Sequence, residues 1–244
     1  MTKSIKPYIP FSNFPLKLVC VYSKYSSDLP KNNIMAHKGD IEGIKNIVSL
    51  GVILSEDTIL TFALCGNKNG VDELLKLKKT TGENMFVLSV KLFNCACASG
   101  NVELIKFLQE KGCEENESSI LEIIGNGHKK ETIIWALKNL RYIGYDKYHQ
   151  TNMITAAVGS GNLDIVKFLI NNGYMKHLSK TKIEQPNLND ISIICATSQL
   201  PLIVFKPMLE YLIQKNFSYC KENISIPADE EYEEKYKLIC ELCV

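Results

Sequence analysis

Apolar and polar positions alternate with helical spacing in three nearly identical stretches. They are Gly39-Asp40-Ile41-Glu42-Gly43-Ile44-Lys45, Gly100-Asn101-Val102-Glu103-Leu104-Ile105-Lys106 and Gly161-Asn162-Leu163-Asp164-Ile165-Val166-Lys167. In the third copy Leu163, Ile165, Val166, Phe168, Leu169 and Ile170 cover more than one stripe, so this helix expects neighbours on two sides. Phe107 and Leu169 are expected inside, each costing about 2–5 kcal/mol if cut to alanine, with Lys106 outside. Asp40, Asn101 and Asn162 stand at the N-cap position, where a side-chain oxygen can accept from first-turn amides. Glu42–Lys45, Glu103–Lys106 and Asp164–Lys167 are i,i+3 pairs that mark a wet face.

Each copy closes on a second glycine twelve residues after the first: Gly51, Gly112 and Gly173. Such a residue suits the left-handed end of a helix. Small residues precede the first glycine, as in Cys95-Ala96-Cys97-Ala98-Ser99 and Ala156-Ala157-Val158-Gly159-Ser160. The unit is therefore a short small-residue helix, a tight turn and a longer amphipathic helix running back. One such pair cannot hide both of its apolar sides, so neighbouring pairs must stack on it.

The first glycines recur every 61 residues, which leaves room for a weaker unit between the clear ones. One is Ile59 to Leu77, with Phe62-Ala63-Leu64-Cys65 as its small helix. Ala63 lies 33 residues before Ala96, and an insertion around Asn67-Lys68-Asn69 aligns the rest. Another is Ile120 to Leu140, with Gly127 at the turn and Ile133, Ile134, Ala136 and Leu137 as its apolar face. A sixth joins Ile191–Thr197 to Pro207–Lys215, with Pro207 in the first helical turn. Residues 11–24 read as a helix covering the first unit, and 176–189 as a loop. Asp229–Cys243 reads as a closing helix with Tyr236, Ile239, Cys240 and Cys243 inward and Glu231–Lys235 and Glu233–Lys237 paired.

The pattern Ala-x-x-x-Gly-Asn-Leu-Asp-Ile-Val-Lys-Phe-Leu, from Ala157 to Leu169 and closed by Gly173, resembles the ankyrin repeat. The copy at Cys95–Gly112 matches nearly as well. The resemblance implies an all-α, ankyrin-like solenoid of stacked antiparallel helix pairs. The family's Thr-Pro-Leu-His opening is replaced by Lys91-Leu92-Phe93-Asn94 and Asn152-Met153-Ile154-Thr155. The Asp-Gly finger tip is missing, so the β-hairpin fingers are expected to be short or absent. The expected organisation is an N-terminal cap at 1–30, six repeats over 31–224 and a capping helix at 225–244. The repeats are placed at about 31–55, 56–88, 89–115, 116–148, 149–188 and 189–224. Gly39, Gly51, Gly100, Gly112, Gly161 and Gly173 define them.

Composition refines this picture. There are 27 lysines against the single Arg141, with many Ile and Asn residues. That bias, with the degenerate repeats, resembles ankyrin proteins of giant DNA viruses of amoebae. A net charge of +1 argues against an extended nucleic-acid surface. Nine cysteines without a small-domain framework point to reduced thiols and a cytoplasmic or nuclear setting. Pro7, Pro10 and Pro15 break any signal-like apolar run, so secretion is not expected. The run from Ile191 to Phe205 is too interrupted to span a membrane.

Chemistry is sparse. Cys240-Glu241-Leu242-Cys243 has ligand spacing but lacks a second pair of ligands, and His37, His128, His149 and His177 are scattered. Gly125-Asn126-Gly127-His128-Lys129-Lys130 lacks the strand and Ser/Thr of a phosphate loop and sits where an inter-helix turn is needed. No catalytic residue, cofactor or metal is expected. Trp135, Arg141, Tyr142, Tyr145 and Tyr148 have the composition of a partner-binding cluster, although the tyrosines also suit packing between units. The chain is expected to be a monomeric, non-catalytic scaffold that binds another protein. The alternatives are a ubiquitin-ligase adaptor, for which Leu29-Pro30 is a poor degron-box match, an enzyme on a divergent helical fold, and a viral paralogue with little selected function.

Overall fold

A computed structural model describes residues 31–140, 147–174, 200–215 and 231–242. The expected helix at 11–24 and the expected loop at 176–189 lie outside them. The chain forms two compact units, Phe14–Tyr142 and a second built mainly from Ile143–Val244. The described residues are overwhelmingly helical, with one isolated antiparallel bridge between Lys78 and Asn84.

In the first unit the described helices form four pairs. They are α1 (Lys31–Lys38) with α2 (Ile41–Ser49), α3 (Glu56–Leu64) with α4 (Lys68–Leu75), α5 (Val90–Ser99) with α6 (Val102–Glu110), and α7 (Glu117–Gly125) with α8 (Lys130–Asn139). Within each pair the two helices pack together, and the first helices pack in succession, α1 on α3, α3 on α5 and α5 on α7. A first helix inside this row is therefore covered on several sides. That is why Phe62, Ala63, Leu92, Phe93, Ala96 and Cys97 are all fully buried. The second helices bury one face: in α6, Leu104, Ile105 and Leu108 are inside while Lys106 is exposed. Phe107 is only half-buried, against expectation, because it lies between that core stripe and the wet face, where Lys68 and Lys111 cover its ring.

The turns carry the register. Asp40 caps α2 by accepting from the Gly43 amide at 2.8 Å, and Asn67 caps α4 through the Gly70 amide at 2.8 Å. Asn101 caps α6 by accepting from the Glu103 and Leu104 amides, both at 3.1 Å. The turn of the second helix pair differs from the expected alignment. No insertion is needed around Asn67–Asn69, because Gly66-Asn67 is the turn, with Gly66 at φ +67. Ala63 then corresponds to Cys97, not to Ala96. Gly70 lies inside α4, where a Cβ would fall 2.0 Å from the Phe62 ring, so this glycine makes room for packing. The turn glycines Gly39, Gly66, Gly100, Gly127 and Gly161 are spaced alternately by 27 and 34 residues, which together give the 61-residue period.

The longer step from Gly66 to Gly100 holds a short hairpin. The Met85 amide donates to Leu77 O at 2.9 Å and the Lys79 amide to Glu83 O at 2.8 Å, with Gly82 at the tip. Between α6 and α7 there are only six residues, Lys111 to Asn116, and no hairpin.

Consecutive turns are tied by side chains. Asn101 Nδ2 donates to Gly66 O at 2.7 Å, and His128 Nε2 lies 2.8 Å from Ala98 O, which requires a proton on that nitrogen. Asn101 thus both caps its own helix and holds the previous turn. Asn101→Ala is expected to cost about 1–3 kcal/mol, a lost cap plus an orphaned carbonyl. Asn101→Asp, which keeps the cap and loses the donor, should cost measurably less in the same urea titrations.

The second unit contains α9 (Lys147–Gly159), α10 (Leu163–Asn171), α11 (Leu202–Gln214) and α12 (Tyr232–Leu242), each packed on the next. Asn162 caps α10 through the Ile165 amide at 3.3 Å, and Leu169 is fully buried. Two expectations fail here. Pro207 is inside α11, not in its first turn, since the helix begins at Leu202 after Pro201. Pro207 and Ile203 are both exposed, so the carbonyl left without a proline N–H faces the solvent side. Among the described side chains of α12 the buried one is Lys235, 1% exposed, while Tyr236 is 52% exposed. Glu231 explains the reversal. Its Oε2 accepts from the Leu202 amide at 2.6 Å, at the positive end of α11, and lies 3.4 Å from Lys235 Nζ. The lysine enters with its counter-charge. Lys237 lies 3.9 Å from Glu241, in place of the expected Glu233 pairing.

Candidate interaction surface

The second helices present aromatic rings with lysines over them. A ring too large to hide on a one-sided helix stays half-exposed, and the lysine stems of adjacent turns lie across it. Lys68 Nζ is 5.7 Å and Lys111 Nζ 5.4 Å from the Phe107 centroid, and Lys106 Nζ is 6.0 Å from that of Trp135. These distances suit cation–π attraction. In the second unit Lys167 and Lys215 lie 5.7 and 5.6 Å from the Tyr211 ring. Tyr211 Oη is buried without a hydrogen-bond partner, and burial raises its pKa.

Of the expected aromatic cluster, Trp135 is half-buried in α8 and Tyr148 lies in α9. Arg141, Tyr142 and Tyr145 are outside the described residues. Phe107 in the first unit and, separately, Tyr211 in the second also carry lysines over their rings, which sequence reading missed. The signal was present as lysines flanking aromatics, but α4 and α6 had first to be brought side by side.

Charged residues of α2 and α4 form a small network. Glu73 of α4 lies 2.8 Å from both Lys45 of α2 and Lys76, which pull its carboxyl down to about 2. Exposed pairs of this kind stabilise little.

The thiols divide by burial. Burial pushes Cys95 up to about 12 and Cys97 well above its usual value, with the Glu122 carboxylate adding to both. Cys113 is buried and raised for the same first reason. Cys65 is exposed, with Sγ 3.6 Å from His37 Nδ1, yet the burial of its sulfur also raises its pKa. None is a poised thiolate. Cys240 is half-buried in α12, and Cys243 is outside the described residues. Among the described residues no three His, Cys, Asp or Glu side chains gather as a metal site. The Gly125–Lys130 segment is the α7–α8 turn, with Gly127 at φ +67 and His128 bonded to Ala98.

Glu122, in α7 beside Cys95 and Cys97 of α5, was not singled out from sequence. Its Oε2 is buried without a hydrogen-bond partner, and desolvation raises the carboxyl to about 7, opposed only by Asn126. The folded chain therefore takes up a proton that the unfolded chain releases near 4.5. This group's stabilising contribution is full below pH 4.5 and is lost as pH rises through 7. The loss is on the order of 2 kcal/mol, after allowing for the water that still reaches the group. Glu122→Gln should flatten that pH dependence and stabilise the protein at pH 8, as read from urea midpoints between pH 5 and 8.

Among the described residues no helix is long and apolar enough to cross a membrane. Comparison of the chain with family models, with curated proteins and with solved structures gives no match.

Proposed function

We propose that this chain is a non-catalytic protein-interaction scaffold, an ankyrin-like solenoid of helix pairs. The observation that supports the reading best is the succession α1–α3–α5–α7, in which equivalent turns are tied by Asn101 and His128. Such a row has only nearest-neighbour packing and presents its second helices and loops as continuous outer surfaces. Those surfaces carry the half-buried Phe107 and Trp135, the residue types that anchor partners. Cys95 and Cys97 are raised in pKa by burial, which suits packing rather than nucleophilic chemistry. The ankyrin resemblance of the Gly100 and Gly161 copies points the same way.

Crosslink-free affinity capture with the full chain tests this reading. The expected result is one protein retained at constant stoichiometry through gel filtration, and lost with Trp135→Ala at an unchanged thermal midpoint. Absence of any stoichiometric partner, with turnover of a small molecule by the same preparation, overturns it.

A further inference from the structure

We propose that the outer face formed by α4, α6 and α8 docks an acidic segment of a partner protein; this rests on the scaffold reading and gives its partner a chemistry. Phe107 and Trp135 lie on second helices of consecutive pairs, both half-buried. Three ammonium groups are gathered over these two rings, at 5.4 to 6.0 Å from the centroids. Lys106 has a carboxylate, Glu103, at 3.5 Å. Lys68 and Lys111 have none within ion-pair distance among the described residues, although each is held beside Phe107. Lys45 and Lys76 of the same unit are, by contrast, each shared between two acids.

An ammonium over a ring keeps its N–H groups on the solvent side, because the ring accepts no full hydrogen bond. Two positive charges are thus positioned at an aromatic ring with no carboxylate at ion-pair distance among the described residues. A carboxylate meets such a group in a charge-assisted hydrogen bond, and an aliphatic side chain beside it covers the ring. Positioned lysines lose less side-chain freedom on binding than free ones. The match is to a few carboxylates interleaved with an apolar residue.

Trp135 is the only tryptophan in the chain, so its emission reports directly on this face. The full chain is titrated with poly-L-glutamate, poly-L-lysine and single-stranded oligo-dT. The expected result is a saturable, salt-sensitive change in Trp135 emission with poly-L-glutamate, and none with poly-L-lysine. Affinity should fall by about tenfold in Lys68→Gln/Lys111→Gln, neither of which has an ion pair among the described residues to lose on folding. An unchanged spectrum, an unchanged affinity in the double variant, or tighter binding of oligo-dT overturns the proposal. The partner capture described above separates the two claims. A stoichiometric partner still held by the double variant leaves the scaffold standing and removes the acidic-segment assignment; no partner for either chain removes the scaffold itself.

Discussion

Gly100→Ala is expected to lower the stability of the first unit by about 2–5 kcal/mol. Two effects combine. Gly100 ends α5 at φ +68, a conformation that costs a residue with a Cβ about 1–2 kcal/mol. The added Cβ would also stand 2.4 to 2.7 Å from Nδ1, Cε1 and Cγ of His128. The imidazole cannot swing away freely, because Nε2 is bonded to Ala98 O at 2.8 Å. Relieving the overlap means breaking that tie or separating α5 from α7, an overpacking cost of about 1–3 kcal/mol. Gly112→Ala isolates the first effect. Gly112 has φ +78 and nothing within 4 Å of the built Cβ, so about 1–2 kcal/mol is expected. Urea titrations should separate the two variants clearly, and His128→Ala in the Gly100→Ala background should recover part of the difference. Equal losses at the two glycines would mean that these turns do not meet.

Leu108→Ala is expected to cost about 2–5 kcal/mol, through lost apolar burial and the cavity left behind. Leu108, Leu104 and Ile105 are all 0% exposed. Leu169 in α10 has the same burial and the same expected cost. Phe107→Ala, one residue away from Leu108, should cost less because part of the ring already meets water and lysine stems. Lys106→Ala should fall within about 0.5 kcal/mol of the parent. A thermal melt for Leu108→Ala indistinguishable from that of Lys106→Ala would place α6 the wrong way round.

The helix pairs were legible where information is local. A Gly-Asn or Gly-Asp step fixes both the turn and the next cap, and apolar spacing within nine residues fixes which face is covered. Gly66 escaped because Gly70 competes with it four residues later. Only the Phe62 ring, 2.0 Å from where a Gly70 Cβ would stand, shows that the second glycine serves packing. Lys235 escaped because a helical pattern treats lysine as exposed, whereas its environment is Glu231, held in turn by the Leu202 amide at the start of α11, 29 residues before Glu231. Pro207 misled for a related reason: proline favours a first turn, but an exposed face tolerates it further in. Glu122 and the lysine-covered rings depend on the register between neighbouring helices, which no single segment encodes. The aromatic cluster was proposed from composition alone, and the structure gives Trp135 the partner Lys106, while Phe107 on the neighbouring second helix carries two lysines of its own.

All of this depends on equivalent turns of successive helix pairs lying against one another. The most direct measurement is the proton NMR spectrum of the Gly100 α-protons in the full chain. The His128 ring over Gly100 predicts strong nuclear Overhauser contacts to the imidazole protons and a ring-current shift that vanishes in His128→Ala. Gly100 α-protons at ordinary shifts, with His128 in contact with other residues, would contradict the stacked arrangement.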